Sequence, residues 1–533
     1  MSAFKRAFAL PKEEIEKLTP PGTTVLIHRE DQNREGGGHI VLVPDPSDDP
    51  ADPLNWKWWS KVGLLICASF YAFVGNFTSA SIASAFPLLA TPAVFNPPVP
   101  MKRLSYLVAV NVLLLGAANL WNVPLANTFG RRPVVLFSLL LLTLSSMWAG
   151  LATSFGSLLA ARAFMGVGAS VSETLSPAAI GEVFFVHQRG RAMAVYTMSI
   201  ALGPFLGGLS GSYIAFRYGI SWLHWANVIL SAICLALCFF LLPETLYVRK
   251  QRLSTVRTGD EREKSDARFE KTIEESISPP SYKTFTFAQS LKVGRYEGGL
   301  LSKLGGPWLS LRLPGVWLVM FWYAGLVGGI VTVTTISPQV MASPPYLWHD
   351  HIGLANVGGI VGTFVGAAYT YFVADRVLTG QVKHEAHGFA ESESRLKTTL
   401  PGLFVATTGL WVFGFCADHP GGAKWVGMQF GLGMLAFGLI QTPSVGFNYA
   451  STLLNLIIDS YGKAASDCFV AVVGMRAIIA FSWTFFIGEW VAKAGTSVPF
   501  GVFGGLMGIF SLLVFVILIW GKRFRVATAQ WVQ

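Results

Sequence analysis

Charge is what this chain has least of. Only 13% of its 533 residues are Asp, Glu, Lys or Arg, against roughly 25% in an ordinary soluble domain. That deficit excludes a surface that faces water over most of its area. Cysteine is scarce too, with five in all. Cys67, Cys234, Cys238, Cys416 and Cys468 each fall inside an apolar stretch, so they read as small buried hydrophobes and not as a disulfide framework. The nine histidines do not converge. His349-Asp-His351 and His384-Glu-Ala-His387 are short loop pairs, so neither a metal centre nor a membrane enzyme is expected, and no cofactor is called for. The first 57 residues are polar and carry no apolar run ahead of a small-residue cleavage site, which excludes a signal peptide. The net charge of +10 lacks a basic face, so nucleic acid is not an expected partner.

What is present is apolar length. Hydrophobic residues make up 52% of the chain, with 55 glycines, and mean hydropathy is +0.50. Apolar stretches near 20 residues, the length that crosses a hydrocarbon core, recur over 61–88, 104–126, 133–153, 156–183, 191–214 and 222–242. A second set covers 314–338, 352–374, 399–417, 425–452, 465–488 and 500–520. Between the sets, 246–312 holds the charge-dense run from Arg257 to Arg268 and cannot bury enough surface to fold alone. The expectation is an all-α membrane protein of twelve helices. A tail (1–57) leads into a six-helix half (58–245). The linker (246–312), a second half (313–521) and a short tail (522–533) follow.

Orientation follows from the loops. With the N-terminus inside, Arg131, Arg132, Arg189, Arg191, Arg376, Lys383, Arg395, Lys397, Lys463, Lys522, Arg523 and Arg525 fall on the cytoplasmic side. The other side receives Lys102, Arg103, Arg217, Lys424 and Lys493. That imbalance places both termini and the linker in the cytoplasm. Six spans, a long loop and six more is the plan of a transporter built from two repeats.

Several segments carry chemistry. The loop after span 2 reads Val123-Pro-Leu-Ala-Asn127-Thr128-Phe129-Gly130-Arg131-Arg132. Asp375-Arg376 stands at the matching place after span 8. Span 4 places Arg162 and Glu173 within an apolar run, eleven residues apart. On a continuous helix they would share a face about 16 Å apart, too far to pair and able to line one cavity. A charge at membrane depth is costly and marks function, and Glu173 is the candidate for a carboxylate that exchanges a proton. Span 5 reads Ser199-Ile-Ala-Leu-Gly203-Pro204-Phe-Leu-Gly207-Gly208, a kinked face for close packing. Asn76, Asn111, Asn119, Gln339, Gln441, Asn448, Tyr449 and Arg476 are further polar residues at depth. Trp322 and Tyr323 offer aromatic faces to a planar or cationic ligand.

These segments resemble the major facilitator superfamily. The loop at 123–132 is similar to the family's Gly-x-Leu-Ala-Asp-Arg-x-Gly-Arg-Arg/Lys signature, keeping Leu125, Ala126, Gly130, Arg131 and Arg132 but with Val123, Asn127 and Thr128 at three family positions. Arg162-Ala-Phe-Met-Gly166-Val-Gly168 resembles the span-4 motif whose arginine is associated with proton coupling, and 199–208 the antiporter motif. Asp52-Pro53-Leu-Asn55-Trp56, Leu242-Pro243-Glu244-Thr245 and Asp459-Ser460-Tyr461 look like the fungal twelve-span drug:proton antiporter branch. The resemblance implies a proton-driven, monomeric carrier of small organic molecules in the plasma membrane, with Arg162 and Glu173 in coupling and the two cytoplasmic loops in gating. Efflux of a secondary metabolite or toxic compound is the expected role. Uptake of polyamines or other organic cations is the alternative, and a non-transporting sensor is the reading from another class.

Overall fold

A computed structural model describes residues 49–92, 94–247, 299–311, 314–384, 389–390, 392–441 and 464–532, together with 5, 8–11, 14–15, 24–25 and 47. Eleven described helices are long and apolar enough to cross a membrane. They are α1 (Trp58–Leu89), α2 (Met101–Phe129), α3 (Arg131–Leu151), α4 (Phe155–Val183), α5 (Gln188–Tyr218), α6 (Ile220–Leu241), α7 (Val316–Ala342), α8 (His349–Val373), α9 (Leu396–Asp418), then α11 (Phe469–Ala494) and α12 (Ser497–Phe524). The expected tenth span is helical over 424–441 (α10), and its remainder lies outside the described residues. The chain is an all-helical, multi-pass membrane protein. Its only described strands are a two-residue antiparallel pair, Thr24–Val25 with Phe389–Ala390.

α2 breaks at Ala118, between Met101–Ala117 and Asn119–Phe129, and α1 and α4 are not single helices either. α1 runs regularly from Trp58 to Ala80, then passes through a 3-10 turn (Ala83–Ala85) into Phe86–Leu89. α4 is regular to Ser170, tightens to a 3-10 turn at Val171–Glu173, and resumes at Leu175. The sequence explains the break in α4. Pro177 has no N–H for the carbonyl four residues back. Ser170 and Ser172 hydroxyls donate to the carbonyls of Val167 and Ala169 (both 2.8 Å), competing with the backbone ladder.

The apolar residues gather into two cores. One is built almost wholly from α1–α6, including Leu64, Tyr71, Leu142 and Tyr196. The other is built mainly from α7–α12, including Trp322, Leu410, Phe413 and Phe500. Two cores make two halves. They meet along two seams, α2 against α11 and α5 against α8. On the first, Tyr106 and Phe485 stack with centroids 4.8 Å apart beside a Lys102–Glu489 ion pair (3.6 Å). On the second, the Ser212 hydroxyl donates to the Asp350 carbonyl (2.8 Å). The outer surface exposes Phe137, Leu144, Phe164, Ile229, Phe404 and Ile519. Apolar exposure on this scale suits lipid and not water.

Candidate functional site

The break in α4 sets the centre of the molecule. Glu173 projects from the 3-10 turn and is almost fully buried. Its partner comes from the other half: Arg476 on α11 donates from Nη1 to Oε1 at 2.8 Å, and Nη2 lies against Oε2. Asn76 on α1 donates to the same Oε1 at 3.3 Å. The guanidinium of Arg476 lies over the ring of Tyr323 on α7, 5.4 Å from its centroid. The Tyr196 hydroxyl on α5 donates to the carbonyl of Ser172 (2.8 Å), which fixes the turn that carries Glu173. Four helices besides α4 therefore converge on one carboxylate.

Arg162 does something else. Its guanidinium is buried against backbone carbonyls, Nη1 to Thr78 (2.7 Å), Nη2 to Ser79 and Nε to Leu107 (3.2 Å). Asn111 accepts from Ser79 Oγ (2.5 Å) and donates to the Arg162 carbonyl (2.7 Å). Arg162 and Asn111 thus tie α1, α2 and α4 together, while Glu173 reaches across to α11. The two span-4 charges have separate partners, because the 3-10 turn takes Glu173 off the regular helix.

The remaining polar candidates divide. Asn119 accepts from the Thr174 hydroxyl (2.6 Å), next to Glu173. Trp322 is turned to α12, where Nε1 donates to the Phe510 carbonyl (2.8 Å). Among the described residues, the Gln339 side chain bonds only its own helix, at Thr335 (3.1 Å). Gln441 is buried beside Gly402 of α9. Asn448 and Tyr449 lie outside the described residues, as does Asp459-Ser460-Tyr461. Asp375 and Arg376 are in a helix that runs from Val357 to His384.

In the loop between α2 and α3, Gly130 takes φ 105° and ψ 151°, which starts α3 abruptly after α2 ends. The two amides that follow, Arg131 and Arg132, both donate to Glu244, at 3.0 and 3.1 Å. A carboxylate on a helix N-terminus is favourable there. The Arg131 side chain forks onto Glu182 at the end of α4 (2.5 and 2.6 Å). Arg132 donates to the Phe239 carbonyl (2.7 Å). Lys303, just before α7, donates to the Asn127 carbonyl (2.9 Å) and to Thr128 Oγ1 (3.4 Å), and burial lowers its pKa. Glu182 and Lys303 were not singled out from sequence. An acid one residue inside the end of span 4, opposite a double arginine, is the signal that points to Glu182. Nothing in the local pattern points to Lys303.

The entry to α1 is also built. Asp52 caps the turn at Leu54 (3.0 Å), Asn55 donates to the carbonyls of Ser47 and Asp49, and the Tyr247 hydroxyl donates to Asp49 (3.1 Å). In α5, an added Cβ on Gly203 or Gly207 would sit 2.7 Å from the Phe73 carbonyl oxygen or 2.5 Å from that of Phe77. Gly208 faces the Asn356 side chain of α8 in the same way, at 2.6 Å. Pro204 lies inside this helix. The stripe therefore packs α5 both on its own half and on the other.

Comparison with known proteins agrees with this architecture. Residues 64–475 match the model of the Major Facilitator Superfamily. An uncharacterised MFS-type transporter of Schizosaccharomyces pombe is 26% identical over 98% of this chain and 94% of its own. A Floropilus chiversii protein named as an efflux pump is 21% identical, covering 90% of this chain and 82% of its own. Among solved structures, the proton:xylose symporter XylE superposes with a TM-score of 0.58 at 17% identity, over 86% of this chain and 96% of that one, a likeness of fold. With two six-helix cores, a Gly-Arg-Arg loop held between α2 and α3, and a family match over most of its length, this chain belongs to the Major Facilitator Superfamily and is a membrane transporter of that type.

Proposed function

We propose that this chain is a proton-coupled secondary transporter of small organic molecules, working outward as an efflux carrier in the plasma membrane, with Glu173 as the group that takes up and gives back the proton. The observation that carries the reading is the buried pair Glu173–Arg476, one member in each half. Alternating access needs the halves to move against each other around a central site. A carboxylate that binds the halves together when ionised, and lets go when protonated, ties that movement to a proton. Arg162 supports it from a distance by holding α4 against α1. The outward direction is supported by the α5 glycine motif and by the efflux pump among the relatives. The loop charges support reading the 1–57 tail, the 246–312 linker and the 522–533 tail as cytoplasmic, with Arg131, Arg132, Glu182 and Glu244 as the gate between helices of the first half.

Glu173→Gln tests the reading. It keeps size and hydrogen bonding but cannot titrate. Flux in reconstituted vesicles should lose its response to an imposed pH gradient while exchange down a substrate gradient survives. A variant that follows the pH gradient as wild type does would show that Glu173 is structural.

A further inference from the structure

We infer that the cargo is an organic anion, which binds Arg476 in the form of the transporter whose Glu173 is protonated. The inference rests on the reading of Glu173 as the proton-binding group and adds the charge of the cargo to it. It begins with the charges that the sequence places away from the span ends. There are two arginines, Arg162 and Arg476, and one acid, Glu173. Residues 442–452, the rest of the span expected over 425–452, add no charge. The membrane core is therefore one positive charge in excess, and the excess cannot move: Arg162 is tied to three backbone carbonyls of α1 and α2.

The groups around Glu173 decide how that excess acts. Arg476 faces it from α11, Asn76 from α1, Tyr196 from α5 and Tyr323 from α7. Arg476 is the only charged group in that set, and the two tyrosines are the only other titratable ones. Both Glu173 oxygens are turned to Arg476, with Asn76 on one of them. Arg476, by contrast, keeps a buried Nε–H with no acceptor among the described residues, beside the Tyr323 ring. The spare capacity of the site is a donor on a cation.

Two cargoes can be compared. An organic cation would have to take ionised Glu173 from Arg476. That strands a buried guanidinium beside a fixed Arg162 and brings in a third positive charge, with one carboxylate for all of them. An uncompensated buried charge is among the most costly arrangements in a protein. An organic anion needs only that a proton neutralise Glu173. Arg476 then exchanges one carboxylate for another, with Nε–H and an Nη–H presented in the two-pronged geometry that suits carboxylates and sulfonates. The Tyr323 ring under the guanidinium holds it in place during the exchange. Anion and proton then occupy the same loaded form and cross in the same direction. Outward transport then runs on the anion's own gradient, with the proton leaving beside it.

The experiment uses the purified full chain in lipid nanodiscs. Its probes are benzoate, naphthoate and naphthalenesulfonate, each beside its neutral amide and its quaternary ammonium analogue, with binding measured by calorimetry at pH 5.5 and 7.5. Naphthalenesulfonate stays ionised throughout, so any pH dependence belongs to the protein. The expected result is that anions bind in preference to amides and cations, and that their affinity rises up to about 10-fold per pH unit of acidification. Glu173→Gln should keep anion binding and remove its pH dependence. Arg476→Gln should weaken it by roughly 100-fold. The double variant Glu173→Gln/Arg476→Gln leaves no unpaired carboxylate and guards against misfolding, and it should lose anion binding as well. A preference for the ammonium series, no binding by any anion, or anion binding that persists in the double variant would each overturn the inference. If ammonium probes win while Glu173→Gln still abolishes the pH response of flux, the cargo charge is wrong and the proton site stands. If Glu173→Gln leaves the pH response of flux intact, the proton site itself is wrong.

Discussion

Gly130→Ala is the most exacting single change that the structure offers. Two separate costs can be worked out. The backbone at φ 105°, ψ 151° lies where only glycine rests easily, a penalty of about 1–3 kcal/mol for any other residue. The new Cβ would also stand 2.8 Å from Glu244 Oε2 and 3.4 Å from its Cδ. Glu244 would have to leave the amides of Arg131 and Arg132, which it caps at 3.0 and 3.1 Å. Losing a helix cap costs about 0.5–2 kcal/mol. The sum is about 2–5 kcal/mol, most of it local to the α2–α3 loop. Thermal unfolding of the purified protein measures it, with a fluorinated or spin label on the loop to report whether α3 still starts at residue 131. Glu244→Ala separates the two costs. If crowding matters, Gly130→Ala should cost less in the Glu244→Ala background than in wild type, by about 1 kcal/mol or more. A Gly130→Ala protein within about 0.5 kcal/mol of wild type would refute the argument, since it would mean that the loop relaxes out of this conformation freely.

Gly207→Leu should break the seam between α5 and α1, because even a Cβ there sits 2.5 Å from the Phe77 carbonyl oxygen; transport should fall by more than about 10-fold at equal surface expression, and a wild-type rate would show that α5 does not pack there during the cycle. A tag inserted at residue 260 should be reached by antibody only after cells are permeabilised, and labelling of intact cells would reverse the orientation argued from the loop charges.

Much of the architecture was legible in the sequence, and the reasons are physical. Membrane spans are set by length and the absence of charge, and both are local properties. Hence the six-plus-six plan, the α5 glycine face and the three charged residues at depth could be read directly. Partnerships are not local. Glu173 and Arg476 are 303 positions apart, and no periodicity links them. The reading of Arg162 and Glu173 on one continuous face assumed a regular α4, and Ser170, Ser172 and Pro177 undo that regularity. Trp322 reads as a ligand platform from its chemistry, yet its indole N–H is committed to Phe510. Between α2 and α3, Asn127 and Thr128 stand out in the sequence as departures from the family signature. What holds the end of α2 is instead Lys303, which acts on the Asn127 carbonyl, a group every residue type carries.

The clamp that Arg162 makes on α1 bears on how the chain is built in the cell. α1 leaves its regular helix at Ala80 with the carbonyls of Thr78 and Ser79 turned to Arg162. Carbonyls at a helix end with no partner are a debt in hydrocarbon, and so is an arginine on a lone span. Each cancels the other, but they are 83 and 84 positions apart. During synthesis the Ser81 hydroxyl, which donates to the Thr78 carbonyl (3.3 Å), is a partner that α1 carries with it, and the arginine arrives only with the fourth span. The first half can close around Arg162 only once the fourth span lies in the bilayer beside the first two.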